Sequence, residues 1–235
     1  MSVAKNPAAS IAVVGGGYAG LASAVTLAEA GVSCTVFETG KTLGGRARRV
    51  DYRCENIDNG QHILVGAYTE TLRLISLVGV ADSALRRLRL RLSVPPKFLL
   101  NVPHSAFLPG PLALAWALLS AKGLSFADKL AAIRMLRALK RCSFRVNPTE
   151  SVADLLANHS QPQNLIDYLW HPLTISALNT PLADASAQIF ANVLRDSFAS
   201  DRAASDLLLP RVDLTALFPD PAAEWVSRRG GEVRR

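Results

Sequence analysis

Three glycines and one acid near the start of the chain have the spacing of a nucleotide-binding turn. Gly15, Gly17 and Gly20 form G-x-G-x-x-G within VVGGGYAGLA. The first glycine permits a tight turn, the second lets the backbone approach a pyrophosphate, and the third lets a helix pack closely. Glu38 stands about twenty residues further on, where a carboxylate can accept hydrogen bonds from ribose hydroxyls. The pattern predicts a dinucleotide site, and the acid disfavours a ribose 2′-phosphate.

A second pair of glycines follows the acid directly. Gly44 and Gly45 lie in LGGRA, and Arg46 comes next. Two glycines let the backbone run close to a bulky ligand, and an arginine can hold a phosphate with a planar, permanently charged fork. A nicotinamide site has no evident use for this pair. The alternative interpretation is a flexible surface turn with a solvated arginine.

The segment DNGQHILVGAY, residues 58–68, combines small and ionisable residues. Gly60 and Gly66 each remove a side chain where the backbone could lie against a flat ring. Gln61 follows Gly60 and precedes His62. His62 has two interpretations, a core histidine satisfied by hydrogen bonds or a group beside a flavin or its substrate. We take His62 as the candidate catalytic residue.

The elements that must position these residues can be predicted from the surrounding sequence. Ile11–Val14 is a short β-branched run that suits a buried parallel strand. Residues 21–30 have the alanine-rich composition of a helix pressed on a sheet, and residues 34–38 form the next buried strand. This order predicts a right-handed βαβ unit.

The middle of the chain is different in character. Residues 85–94, LRRLRLRLSV, alternate leucine and arginine with the period of one half-buried strand. Residues 112–141 then become helical, and Ser125 can cap the second part. In that second part four apolar residues fall near one face: Leu130, Ile133, Leu136 and Ala138.

Further elements are expected towards the end of the chain. The pattern predicts helices at residues 151–158, 163–170 and 183–197. Near Leu207 a loop leads into a helix at residues 221–228, followed by a glycine turn and the beginning of a strand at Glu232.

Composition and charge limit the classes of partner. The chain has 235 residues, a formal net charge of +7 and three cysteines, Cys34, Cys54 and Cys142, without a C-x-x-C pair. The odd number and the spacing of the cysteines favour a reducing compartment and argue against a disulfide framework and against a zinc site. No apolar run approaches the roughly 20 residues of a membrane span, and the first residues lack a signal-peptide core. We expect a cytoplasmic protein, at most peripheral at the inner membrane, with no metal and no nucleic-acid partner.

The motifs together resemble a known superfamily. G-x-G-x-x-G, an acid, L-G-G-R and D-x-G-x-H, in this order, are similar to the flavin-containing amine oxidases and carotenoid desaturases. More narrowly, DNGQHILVGAYTETLRLI, LLLPRVDLTALFP and WVSRRGGEVR resemble the FAD-dependent hydroxysqualene dehydroxylases of hopanoid biosynthesis. The resemblance covers residues 11–235.

The resemblance implies an α/β fold with FAD as cofactor. Residues 1–85 and 207–235 would form a Rossmann-like FAD-binding domain, and residues 86–206 an inserted, mainly helical (α+β) substrate domain. The implied site residues are Gly15, Gly17 and Gly20 at the pyrophosphate, Glu38 on the adenosine ribose, Gly44, Gly45 and Arg46 along the pyrophosphate and flavin, and Gly60, Gln61 and His62 near the isoalloxazine.

The implied reaction removes the hydroxyl of hydroxysqualene, an apolar isoprenoid, and gives squalene. Hydride would pass from reduced flavin to the allylic carbon as water departs. Members of the superfamily return to the flavin with a further glycine-acid segment, whereas this sequence stops at GGEVRR. We therefore expect that the C-terminal part of the FAD domain is missing, and that the chain alone binds FAD weakly and is inactive.

Other interpretations stay open at this point. Another flavin desaturase or an amine oxidase would share the same motifs, although no aromatic cage for an amine is visible in the sequence. A non-catalytic, truncated homologue could keep the nucleotide fold without turnover. A nicotinamide dehydrogenase is the weakest alternative because it leaves the second glycine pair unexplained.

Overall fold

The structure is a computed structural model that describes residues 10–60, 62–103, 110–198 and 203–235. The chain divides into two compact units. The first unit comprises the chain up to Leu64, Tyr68–Arg87 and Leu208–Arg235, and the second comprises Val65–Ala67 and Leu88–Leu207. Each unit has its own cluster of buried apolar side chains.

A parallel three-stranded sheet is the frame of the first unit. Strands β1 (Ile11–Val14) and β10 (Glu232–Arg234) both pair in parallel with β2 (Cys34–Phe37), which lies between them. Helix α1 (Tyr18–Glu29) connects β1 to β2, and α10 (Pro219–Arg228) leads into β10. The predicted order of strand, helix and strand is confirmed, although α1 begins earlier than expected because Gly17 is its N-cap. The prediction that Ile11–Val14 is buried was wrong, because Ile11 is 41% and Val14 88% exposed.

Two smaller strand groups and two helices complete this part of the fold. Strands β3 (Arg49–Tyr52) and β4 (Glu55–Asp58) form an antiparallel hairpin. Strand β9 (Leu207–Pro210) lies between β5 (Leu64–Val65) and β6 (Leu85–Leu88), so the loop predicted near Leu207 was wrong. The helices are α2 (Thr69–Leu77) and α9 (Leu214–Leu217).

The second unit is mainly helical, with one antiparallel hairpin. The hairpin consists of β7 (Arg91–Val94) and β8 (Phe98–Asn101). The helices are α3 (Gly110–Ser120), α4 (Phe126–Arg141), α5 (Val152–Asn158), α6 (Gln163–Leu165), α7 (His171–Leu178) and α8 (Ala187–Phe198), with a π-helical turn at Ile166–Trp170.

The leucine–arginine segment forms two strands rather than the single strand predicted. Strand β6 ends at Leu88 and β7 begins at Arg91. Between them the Arg89 guanidinium pairs with the buried Asp206 carboxylate at 2.8 Å. A buried carboxylate requires a partner of opposite charge. The leucine–arginine alternation does not reveal this ion pair, because Asp206 is far from Arg89 along the chain.

Helix α4 begins as predicted but buries a different face. The Ser125 hydroxyl accepts from the Asp128 N–H at 3.1 Å, and the Asp128 carboxylate accepts from the Ser125 N–H at 2.9 Å, which completes a capping box. The buried residues include Ala131, Ala132, Met135 and Leu139. Leu130, predicted to share a face with Ile133, Leu136 and Ala138, is 38% exposed.

Candidate functional site

The first glycine motif forms a tight turn that ends in a helix N-terminus. Gly15 has φ of +101°, and its N–H donates to the Phe37 carbonyl at 2.8 Å. Gly17 caps α1 through its backbone, and its carbonyl accepts from the Leu21 N–H at 2.9 Å. No described side chain caps this helix end, and its first turn carries no acid. The first-turn N–H groups therefore face an environment suited to an anion.

Gly20 has no room for a side chain. A Cβ at this position would lie 1.9 Å from the Gly15 carbonyl oxygen, a distance that no real contact allows. The absence of a side chain thus lets the first turn of α1 pack directly on the turn that precedes it.

The two glycine motifs lie side by side. The Gly44 N–H donates to the Gly16 carbonyl at 2.9 Å, and Gly17 and Gly44 form an isolated parallel bridge. A Cβ on Gly17 would lie 3.8 Å from the Gly45 Cα, which is its nearest neighbour. The two loops therefore present one backbone surface without side chains between them, and this surface fits the close approach of a pyrophosphate.

Glu38 holds the end of β2 against the first glycine loop. One carboxylate oxygen accepts from the Gly40 N–H at 2.7 Å and the other from the Gly16 N–H at 2.6 Å. These two N–H groups lower the pKa of the carboxyl below its ordinary value. An ionised carboxylate has about four acceptor sites, so the two bonds leave acceptors for ribose hydroxyls.

Sequence reasoning missed a buried threonine that anchors the second glycine segment. The Thr215 hydroxyl accepts from the Arg49 N–H at 2.8 Å and donates to the Leu43 carbonyl at 3.3 Å. Thr215 is only 1% exposed. The Arg49 guanidinium also lies 3.3 Å from the Asp213 carboxylate. Leu43, the first residue of LGGRA, and Arg49, two residues past its end, are therefore both tied to the chain around α9.

A second set of bonds ties the third motif and α1 to the same place. The Asp58 carboxylate accepts from the Leu214 N–H at 2.8 Å, and the Tyr18 hydroxyl donates to the Leu214 carbonyl at 2.6 Å. Burial, followed by the charges of Asp58 and Asp213, raises the pKa of Tyr18 well above its usual range, so Tyr18 stays protonated. Asp213 is an N-cap residue directly before a helix, and this pattern was the available sequence signal.

The structure places the remaining predicted residues at the edge of this arrangement. Arg46 is exposed, and its carbonyl accepts from the Asn59 side-chain amide at 3.3 Å. Gly60 has φ of +84°, a backbone conformation that favours glycine over residues with a side chain. His62 is exposed, with Nδ1 3.1 Å from the Gly60 carbonyl oxygen. Gln61 lies outside the described residues.

Gly66 is explained by packing between protein segments. A Cβ on Gly66 would lie 1.7 Å from the Ala203 carbonyl oxygen. Its N–H donates to the Asp206 carbonyl at 2.9 Å. The vacant side-chain position therefore faces the protein backbone and not open space for a ring.

Comparison with known proteins assigns the chain to a family. Residues 18–204 match the family described as flavin containing amine oxidoreductase. The chain belongs to this family. The flavin oxidoreductase superfamily predicted from the motifs is thereby confirmed, and a nicotinamide dehydrogenase is set aside.

Individual relatives carry more specific names. The hydroxysqualene dehydroxylase of Zymomonas mobilis is 27% identical over 236 residues, which covers 94% of this chain and 52% of the relative. The protein of the same name from Rhodopseudomonas palustris is 28% identical, over 96% of this chain and 52% of the relative. The zeta-carotene desaturase of Solanum lycopersicum is 32% identical over 82 residues, 34% of this chain and 14% of the relative. The chain thus spans about half the length of the hydroxysqualene dehydroxylases that it matches.

Solved structures confirm the predicted fold class. An oxidoreductase from Methanosarcina mazei gives a TM-score of 0.66 at 17% identity, over 96% of this chain and 51% of that one. Putrescine oxidase with bound putrescine gives a TM-score of 0.58 at 16% identity, over 97% of this chain and 51% of that one. At these identities the likeness establishes the mixed α/β fold of flavin oxidoreductases and does not assign a substrate.

Proposed function

We propose that the protein is an FAD-dependent oxidoreductase that converts hydroxysqualene to squalene by reductive removal of the hydroxyl group. The hydrogen bond from the Gly44 N–H to the Gly16 carbonyl carries the cofactor part of the proposal. It joins the two glycine motifs into a single backbone surface, which suits the long pyrophosphate-bridged skeleton of a flavin dinucleotide.

Four groups of this chain would hold the FAD. Gly15 and Gly17, with the N-terminus of α1, would face the pyrophosphate, and Glu38 would accept from the adenosine ribose hydroxyls. Gly44 and Gly45 would let the cofactor run close to the backbone, with the Arg46 guanidinium at the edge to offset phosphate charge. The ionised Glu38 would repel a 2′-phosphate, which supports FAD over NADP.

When bound, FAD supplies the hydride chemistry, and the protein orients the substrate and excludes water. His62 is the proposed source of the proton for the leaving hydroxyl. A carbonyl oxygen only accepts hydrogen bonds, so the His62 Nδ1 beside the Gly60 carbonyl carries the hydrogen in the neutral ring. Nε2 is then an acceptor, and His62 donates a proton from Nε2 only as the imidazolium.

The names of the relatives support hydroxysqualene as the substrate. The mainly helical unit, Val65–Ala67 with Leu88–Leu207, would hold the long apolar chain of this isoprenoid. A second candidate is dehydrogenation of a carotenoid precursor, which is favoured by the 32% identity to a zeta-carotene desaturase over 82 residues.

The test is anaerobic incubation of the purified protein with excess FAD, dithionite and hydroxysqualene, with the products identified by mass spectrometry. Squalene that forms only with reduced flavin supports the proposal. Reduction of oxidised FAD by a carotenoid precursor in a parallel anaerobic incubation without dithionite, with no squalene formed from hydroxysqualene, would instead support the second candidate. Because we expect the 235-residue chain to be inactive alone, the full-length product gives the decisive assay if the gene continues past Arg235, and absence of squalene with that product would overturn the proposal.

A further inference from the structure

Two consecutive helices of the second unit leave large apolar side chains at the surface. On α3, Leu112 is 56%, Trp116 58% and Leu119 46% exposed. On α4, Phe126 is 76% and Leu130 38% exposed. Spacings of three and four residues place each group on one side of its helix.

These side chains point away from the core of the unit. Helix α3 buries Ala113, Leu114, Ala117 and Leu118, and α4 buries Ala131, Ala132, Met135 and Leu139, all in the same cluster. The Lys129 ammonium donates to the Leu119 carbonyl at 2.7 Å and so links the beginning of α4 to the end of α3. The exposed residues therefore belong to an outer surface, which we call the α3–α4 face and define by Leu112, Trp116, Leu119, Phe126 and Leu130.

The exposed charges carried by helices α3 and α4 and the segment that connects them have a single sign. Residues 110–141 contain one acid, Asp128, which is buried in the capping box of α4. The same residues contain six cations: Lys122, Lys129, Arg134, Arg137, Lys140 and Arg141. At 100° per residue, Arg134 and Arg137 continue the side of α4 that carries Phe126 and Leu130. Within the described ranges none of the six cations is paired with an acid.

We infer that the α3–α4 face docks on an anionic lipid bilayer. Leucine and aromatic side chains gain by leaving water for the acyl boundary, and a tryptophan suits the headgroup level. Arginine and lysine beside them are attracted to anionic headgroups. A second copy of the chain fits less well, because a symmetric contact would bring like charges together. None of the helices in the described parts of the chain is long and apolar enough to cross a bilayer, so the contact lies on the surface.

The experiment is flotation of the 235-residue chain with phosphatidylcholine vesicles, alone and with about 30% phosphatidylglycerol, at low and high salt. Wild type is expected to bind the anionic vesicles and to dissociate at high salt. The double variant Trp116→Gln/Phe126→Gln is expected to bind the anionic vesicles about tenfold or more weakly than wild type. Arg134→Gln and Arg137→Gln are each expected to weaken it about fivefold.

Matched controls come from helix α8 of the same unit. Ile189→Gln changes another apolar side chain that is 53% exposed, and Arg195→Gln changes another exposed arginine, which is paired with Asp196. Both are expected to bind vesicles like wild type, and circular dichroism checks that every variant is folded. Equal binding to neutral and anionic vesicles, or equal loss in the controls, overturns the inference. Self-association that the Trp116 and Phe126 changes abolish, without vesicle binding, assigns the face to a second copy and also overturns it.

Discussion

The backbone N–H of Gly44 lies 2.9 Å from the carbonyl oxygen of Gly16, and this one hydrogen bond joins two glycine segments that are separated along the chain by helix α1 and strand β2. Neither Gly16 nor Gly44 has a side chain at the contact. The first segment ends at a helix N-terminus, and the second is anchored from behind by the buried Thr215. The chain thereby builds a continuous surface of backbone atoms, and we propose that this surface receives the cofactor.

Gly17 and Gly20 are expected to respond differently to the same substitution. Gly20→Ala places a methyl 1.9 Å from the Gly15 carbonyl oxygen and should lower the free energy of unfolding by about 3 kcal/mol. The methyl of Gly17→Ala would lie 3.8 Å from its nearest atom, so this substitution should change the free energy of unfolding by no more than about 1 kcal/mol. Urea unfolding measures both values, and equal losses would contradict the packing described here.

Glu38 is expected to make stability depend on pH. Because its pKa is lowered in the folded state, its contribution is full above the ordinary value of 4.5 and is lost as the pH falls through the lower folded-state pKa. Glu38→Gln should cost about 1–3 kcal/mol at pH 7. The difference between variant and wild type should shrink in acid, as measured by urea unfolding across a pH series. A difference that stays constant from pH 7 to acid would be inconsistent with this account.

Thr215 is expected to matter through its hydroxyl group. Thr215→Val keeps the shape but leaves the Arg49 N–H and the Leu43 carbonyl without this partner, which should cost about 1–3 kcal/mol. Thr26→Val is the matched control, because the Thr26 hydroxyl is exposed on α1 and its loss should cost less than about 0.5 kcal/mol. Thermal unfolding compares the two variants, and equal shifts would count against the anchor.

Gln161 is expected to stabilise the core of the second unit. Its side-chain oxygen accepts from the Trp170 indole N–H at 2.9 Å, and its amide donates to the Ala131 carbonyl at 3.1 Å. Gln161→Leu leaves the buried Trp170 indole N–H unpaired and removes one of the bonds to the Ala131 carbonyl, which should cost about 1–3 kcal/mol. Gln163→Leu, at an exposed position, should cost less than about 0.5 kcal/mol in the same urea titration. A Gln161 variant as stable as this control would refute the role.

The nucleotide-binding part could be predicted because its signals are local. The run Ile11–Val14, the glycines after it and the strand at Cys34–Phe37 each depend on neighbouring residues, and all three lie where the sequence placed them. The flavin motifs carried further information, because their order identified the superfamily that the comparison then confirmed.

The remaining features depend on contacts between distant residues. The sequence did not reveal that Thr215 holds the Leu43 carbonyl, because the two are far apart along the chain. It also placed Leu130 on the predicted apolar face of α4, since leucine and alanine occur on several sides of this helix. In the structure, Ala131 and Met135 face the core and Leu130 is partly exposed.

We propose above all that the two joined glycine loops hold the pyrophosphate of FAD. The most direct measurement is a calorimetric FAD titration of the 235-residue chain, of Gly17→Ala and of Ser23→Ala, a control at an exposed position nearly two turns further along α1. Wild type and Ser23→Ala are predicted to bind FAD with equal affinity, although weakly, and Gly17→Ala about tenfold or more weakly still, since its methyl occupies the surface between the loops. Equal affinity of Gly17→Ala and wild type, or no FAD binding by wild type, would contradict the claim.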